Sequence, residues 1–354
     1  MNINYVKKIT LICALFFYGS ANSAVISEDR CVGSITRTMS DLKQVTFWGY
    51  GVNTSPQCGT TLPTVATLPA ATISVGVGDT LNLTLHAHGG MPHENSPYQG
   101  HTIHMHGADV DTQNDGVPDT TTGGALTMGT KTYIFTPSNK MFGSYAYHCH
   151  VHTVKHLEMG MYGAMIVRPK AALGYLNSIV PGFKNQLNDS LDTAYDYEQI
   201  YLFSTVDPTY HDVAAVGDVG VFADYNPTYF LINGGESTAL KTPAITLAAG
   251  VNKKVALRLI GMHSVNGTFE IRNTSDTSGA LQEFTVYAQD GRSYAIPEKI
   301  NSLNIAPGQR FDIIFTTPTT PGTLYPQITY KTLREDSANS KNASYATAYG
   351  KVTF

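Results

Sequence analysis

The chain has 354 residues, of which 14% are Asp, Glu, Lys or Arg, and carries a formal net charge of −4. That length suits one large domain or two of ordinary size, and without a basic excess the chain has no electrostatic footprint for nucleic acid. Glycine, threonine, tyrosine and valine are plentiful, as in a β-rich globular protein. The opening stretch MNINYVKKITLICALFFYGSANSA carries the three parts of a secretory signal. Lys7 and Lys8 form a charged start, Ile9 to Tyr18 a nearly wholly apolar core, and Ala21-Asn22-Ser23 a small-residue cleavage position. The apolar run falls well short of the ~20 residues that a membrane span needs. Residues 1–23 are therefore expected to be a cleaved signal, and the mature chain to be exported, periplasmic or secreted, without a membrane anchor.

Export makes the cysteines informative. Cys13 leaves with the signal, so Cys31, Cys58 and Cys149 remain. An odd cysteine in an exported protein is a free thiol or a metal ligand. Cys31 and Cys58 lie in similar Gly/Thr/Ser-rich surroundings and can form a disulfide in an oxidising compartment. That leaves Cys149, the one flanked by histidines. The alternative keeps all three as thiols, since sequence alone does not fix pairing.

Helical periodicity is scarce. Short β-branched and aromatic runs alternate with Gly, Pro, Asn and Asp clusters, the pattern of a sandwich or barrel. TISVGVGDTLNLTLHAH (72–88) and AITLAAGVNKKVALRLIG (244–261) read as one unit used twice, each an apolar strand, a glycine-centred turn and an alternating strand. Two domains of ~150 residues lie within the usual range. The polar, proline-containing stretch after Arg168 reads as the connection. The expected division is residues 24–170, a linker over 171–194, and a second domain over 195–354. PGQRFDIIFTTP (307–318) and YGKVTF (349–354) read as the closing strands of that second domain.

The chemistry concentrates in two segments, GHTIHMHG (100–107) and YAYHCHVHTVKHLEMGM (145–161). A thiolate with two imidazoles and a weak axial thioether selects copper of the electron-transfer kind. Cys149, His156 and Met161 give the spacing C-x6-H-x4-M, three such donors on one loop. His152 is a rival for the loop histidine, but the residue five positions after it is Leu157, whereas His156 is followed at that distance by Met161. The remaining imidazole should come from a distant strand, where His101, His104 and His106 are on offer. Strand side chains alternate faces, so His148 and His150 point away from the face that Cys149 uses. One metal therefore cannot collect all three. The pattern implies a copper under Cys149 and a second metal site across the strand, where His104 and His106, which share a face, can meet His148 and His150. Zinc also takes Cys and His, but a structural zinc site needs neither the methionine nor the surplus histidines.

These segments resemble the multicopper oxidases of the cupredoxin superfamily, whose signatures are HxxHxH and HCHxxxHxxxxM. His101, His104 and His106 match the first; His148, Cys149, His150 and, with two extra loop residues, His156 and Met161 match the second. The resemblance implies an all-β fold of two tandem cupredoxin-like Greek-key β-sandwich domains. It implies that His101, Cys149 and His156 hold a type 1 copper, with Met161 axial. His104 matches a type 2 ligand, and His106, His148 and His150 match type 3 ligands of an oxygen-reducing site. His152 remains a possible further ligand. DGVP (115–118) matches the family loop whose aspartate supplies protons, making Asp115 a candidate proton donor; its bland reading is a solvated acidic loop. Copper nitrite reductases are the competing relatives. They carry an aspartate where this chain has His104 and no histidine where it has His150, and both differences favour the oxidase.

The second half resembles the copper-free middle domain of three-domain oxidases. Beyond residue 156 its histidines are the isolated His211 and His263, and it has no cysteine. His263 reads as a turn residue, with a ligand donated to a neighbouring subunit as the alternative. A complete oxygen-reducing cluster in the family draws on two facing domains. Three completions are open: a second copy of the first domain across a two-fold interface, a smaller site using His86, His88 or His93, or copper binding without oxygen reduction. The leading expectation is an exported, laccase-like copper oxidase, assembled as a homo-oligomer. Electrons from a phenol-like or metal-ion reductant would pass from the type 1 copper through Cys149 to oxygen at the second site. The competing class is a non-catalytic copper-binding or electron-transfer protein.

Overall fold

The structure, a computed structural model, describes residues 23–52, 66–88, 100–121, 123–126, 128–169, 185–187, 193–215, 225–237, 242–331 and 344–354. The signal segment through residue 22, Cys58, His93, most of the linker, and the side chain of His88 lie outside the described residues.

The first sandwich is built from β1 (Val25–Thr38), β2 (Gln44–Val52), β3 (Ala70–Gly76), β4 (Thr80–His88), β5 (His104–His106), β6 (Met128–Phe135), β7 (Gly143–His148) and β8 (Tyr162–Arg168). They form two four-stranded sheets, ordered β2-β1-β4-β6 and β3-β8-β7-β5. Along β4, Leu81, Leu83, Leu85 and Ala87 are buried while Asn82, Thr84 and His86 are only partly so, the period-two pattern of a strand with one face on a core. The core between the sheets gathers Trp48, Tyr50, Ile73, Leu83, Met105, Tyr133, Tyr147 and Cys149. The second sandwich pairs two seven-stranded sheets. Its central strand β10 (Lys254–Gly261) runs parallel to β9 (Tyr197–Val206) and antiparallel to β11 (Arg310–Thr316). The repeated unit seen in the sequence corresponds to β3–β4 in the first sandwich and to Thr246–Ala248 followed by β10 in the second. The fold is thus all-β, two cupredoxin-like sandwiches in tandem.

β7 departs from alternation: all of its residues are buried. Its inner face meets the first core, and its outer face is covered by the second sandwich. Ala146, Tyr162, Ala164 and Ile166 pack there against Leu202 and Ile260. Beside this apolar contact runs a charged one. Glu198 of β9 takes hydrogen bonds from Arg168 of β8 at 2.7 Å and from Arg258 of β10 at 2.7 Å. Arg258, fully buried, also lies 3.1 Å from the Asp312 carboxylate. Two short helices interrupt the strands among the described residues: α1 (Thr153–Met159) and α2 (Pro208–Ala215). Neither was foreseen from periodicity. No described helix is long and apolar enough to cross a membrane.

Candidate metal centre

Two groups of donor side chains assemble on either side of one peptide unit. His101, Cys149 and His156 form the first, their donor atoms all within 4.8 Å of one another and all three residues buried. His104, His106 and His148 form the second on the same criterion. The division between the faces of the β7 edge is the one expected from strand alternation.

The first group is fixed by local backbone. β7 ends at His148, and the chain turns through α1 before returning as β8. The two extra loop residues are absorbed by that helix. His152 enters it in the left-handed region with φ 42°, exposed to solvent, and Gly160 leaves it with φ 110°. A side chain at position 160 would stand 2.8 Å from the Trp48 carbonyl oxygen, so the helix exit requires glycine. The Cys149 N–H donates to the Met161 carbonyl at 3.1 Å, and the Met161 N–H to that of His156 at 2.9 Å. His156 Nδ1 lies 3.0 Å from Cys149 Sγ. The His101 and His156 rings stack with centroids 5.3 Å apart, and Trp48 meets the His156 ring edge-on. Burial pushes the Cys149 thiol up, but the charge of His156 and the hydrogen bonds of His101 and His156 outweigh it, holding the thiol well below its ordinary value. Met161 is fully buried in the same core.

The second group is set by the β5–β7 ladder, in which His104 pairs with His148 and His106 with Ala146. His148 donates from Nδ1 to the Cys149 carbonyl at 3.0 Å, and its Nε2 lies 3.2 Å from His106 Nδ1. His104 donates from Nδ1 to the Asp115 carbonyl at 2.6 Å and lies 3.1 Å from Asp115 Oδ1, which leaves its Nε2 as the ligand atom. Gly116, at φ 75°, makes this approach possible, since a side chain there would collide with the Ile103 carbonyl. Burial lowers His106 to about 4, helped by the Arg310 charge, and His148 to about 3. His104 is also lowered by burial, against the pull of Asp115. All three are therefore neutral imidazoles at neutral pH.

His150 adjoins this group rather than closing it, its ring centroid 5.0 Å from that of His104 and 6.0 Å from that of His148. His152 belongs to neither group; its ring is 6.2 Å from His156. His86 instead pairs with Asp29, Nε2 to Oδ1 at 2.6 Å. The second sandwich contributes contacts that the sequence left unassigned. The Pro307–Gly308 turn lies over His106, where a methyl on Gly308 would stand 3.3 Å from Nε2. His211 contacts the Glu158 carbonyl from Nε2 at 2.9 Å and the Thr46 carbonyl from Nδ1 at 2.7 Å, tying α2 to α1 and β2. His263 is buried beside the second group. No spacing signal marks these contacts, because they arise from how the two sandwiches meet.

The donor sets fit copper. A buried cysteine whose thiol is held well below its ordinary value by two buried imidazoles is a type 1 donor set, and a cluster of imidazoles suits copper again. Comparison with known proteins agrees. Residues 51–172 and 207–351 each match a family model described as multicopper oxidase. No curated protein matches the chain. Among solved structures, the fold resembles a blue copper oxidase from Nitrosomonas europaea at 21% identity, covering 93% of this chain and 85% of that one with a TM-score of 0.64. It also resembles a Campylobacter jejuni multicopper oxidase described as a metallo-oxidase, at 18% identity, 94% and 58% coverage and a TM-score of 0.63. A laccase from Botrytis aclada is similar at 20% identity, 94% and 53% coverage and a TM-score of 0.62. With the matched families covering both sandwiches and the donor groups lying inside the first, the chain belongs to the multicopper oxidases, copper-dependent oxidoreductases that use a reducing substrate and oxygen.

Proposed function

We propose that the protein is an exported oxidase that takes electrons from a small phenol-like compound or a metal ion and passes them to oxygen. In this reading His101, Cys149, His156 and Met161 hold the type 1 copper, and His104, His106, His148 and His150 hold the oxygen-reducing site. Copper at these sites supplies one-electron transfer and the binding and reduction of oxygen. The observation that supports the reading is the arrangement of two donor groups on opposite sides of the His148–Cys149 peptide. Cys149 is covalently continuous with His148, so the two groups are joined by the shortest bonded path available to neighbouring residues. Asp115 holds a carboxyl oxygen 3.1 Å from His104 Nδ1, a position from which it can carry protons to the second site.

Export is part of the proposal and rests on the three-part signal over residues 1–23. A Cys31–Cys58 bridge goes with export; among the described residues Cys149 is the free cysteine. A homo-oligomer is proposed to complete the second site. His104, His106 and His150 are all only partly buried, and of these His106 lies under the turn of its own second sandwich, so a second copy would approach over the other two.

The test is metal content per protomer, measured with solution mass and oxygen uptake. More than one copper per chain, a blue thiolate-to-copper absorption and oxygen uptake on a phenol or Cu(I) are expected. A single blue copper without oxygen uptake would sink the oxidase and leave an electron-transfer protein.

A further inference from the structure

The four donors proposed for the blue copper are closed off from solvent. Cys149, His156 and Met161 are fully buried and His101 is 1% exposed. A reductant therefore meets some other side chain first, and the rings packed on His156 show which one. His101, stacked on it, is itself a donor. Trp48 meets it edge-on but is buried, and the Lys155 ammonium lies over the indole face at 4.8 Å. His152 meets it edge-on as well, with the rings inclined at 61°. Of these three, His152 alone is exposed to solvent.

The contact follows from the chain. His152 stands four residues before His156, the spacing that brings side chains together on one helical face, and the His156 N–H donates to the His152 carbonyl at 3.0 Å. The backbone at His152 has φ 42°. That left-handed conformation is unfavourable for a residue with a Cβ, and glycine would adopt it freely. Histidine thus gives up local stability at the position where one ring touches both solvent and His156.

We propose that His152 is the residue through which electrons enter. A small one-electron donor docks against its exposed ring, and the electron crosses the His152–His156 contact to the metal of the first group. The donor loses one electron, copper(II) held there gains it, and no atom or proton is transferred at His152. The proposal rests on the copper reading of the first group and is independent of what completes the second.

The test uses the full copper-loaded chain under argon, where the blue absorption reports the oxidised first group. Its bleaching is followed with hexaammineruthenium(II) and with the iron(II)–EDTA complex, one-electron donors of opposite charge. His152→Gly suits the backbone and removes only the side chain; His152→Asn keeps a polar side chain, tolerates the same conformation and lacks the ring. Both variants should bleach about tenfold to a hundredfold more slowly with either donor, the scale of a lost positioning contact. Their absorption maximum and midpoint potential should match the wild type. Unchanged bleaching in either variant, or slowing with one donor only, overturns the proposal. A second readout needs no copper. In the metal-free chain the neutral, inert paramagnetic complex chromium(III) tris(acetylacetonate) should broaden the ring protons of His152 and leave those of His101 and His156 sharp. Equal broadening of His156 would mean direct access to a donor and also overturns the proposal. A wild-type chain that never turns blue removes the copper reading together with this one, whereas a blue chain with unchanged bleaching in His152→Gly removes this one alone.

Discussion

Asp312 of the second sandwich accepts two hydrogen bonds from Ser144 of β7, one from the backbone N–H at 3.1 Å and one from the hydroxyl at 2.5 Å. The same carboxylate faces the buried guanidinium of Arg258. One side chain thus fastens the strand that leads to His148 and Cys149 to the core of the neighbouring sandwich. Asp312→Ala would leave Arg258 with Glu198 alone and should cost about 3 kcal/mol, the usual scale for breaking a buried ion pair. The denaturation midpoint of the metal-free protein measures it. An unchanged midpoint would show that the contact contributes nothing.

Cys149→Ser should abolish the blue absorption and lower copper content by about one ion per chain, because only the first donor group loses its thiolate. The His104, His106 and His148 group should keep its metal. Loss of all copper in this variant would mean that the two groups do not bind independently.

Replacing Met161 by Leu should preserve copper binding and raise the reduction potential of the blue site, since a weak donor to the oxidised ion is replaced by an apolar side chain. Voltammetry on the full chain reads this directly. An unmoved potential would place the Met161 side chain away from the copper.

Asp115→Asn should leave the blue absorption intact and slow oxygen uptake by about tenfold to a hundredfold, the range for a group that orients a metal-bound histidine. If Asp115 supplies protons as well, the loss will steepen as pH rises. A variant with wild-type turnover at all pH values would return DGVP to an ordinary acidic loop.

Acid stability should fall in two stages. His263 ordinarily titrates near 6.5, but burial holds the folded-state value at about 4. The unfolded chain therefore takes the proton first, and stability declines as pH drops between those values. His106 and His148, at about 4 and about 3 in the metal-free fold, act in the same direction. Burial would raise Glu198, yet Arg258 and Arg168 hold it at about 2 against an ordinary 4.5, so its contribution is lost below that window. Denaturation midpoints against pH should show both declines, the lower one shrinking in Glu198→Gln. A flat profile from neutral pH to 4 would contradict the first.

Much of the first site was legible from spacing. Cys149, His156 and Met161 lie on one short loop, and the two-residue alternation of a strand divides His148 from Cys149 without any knowledge of the fold. The separation of His101 from His104 and His106 needed the family signature as well, because β5 is only three residues long and His101 lies outside it, bridged to Leu126. Helix α1 was hidden by its length of seven residues, too short to show a period against the strand background. His211, His263 and the Pro307–Gly308 turn were out of reach for a different reason. The carbonyls that His211 contacts lie 53 and 165 residues away, and His263 and the turn face the first sandwich across the seam, so these side chains leave no local pattern.

The backbone bonds that link Cys149 to Met161 and Met161 to His156 tie three of the proposed blue-copper donors to one another rather than to the metal. A loop closed in this way can hold its donor geometry whether or not an ion is present, and has little freedom to follow the different bond lengths that the two oxidation states prefer. The expected consequence is a small reorganisation energy: electrons exchange quickly, and copper can be withdrawn and returned without the chain having to refold around it.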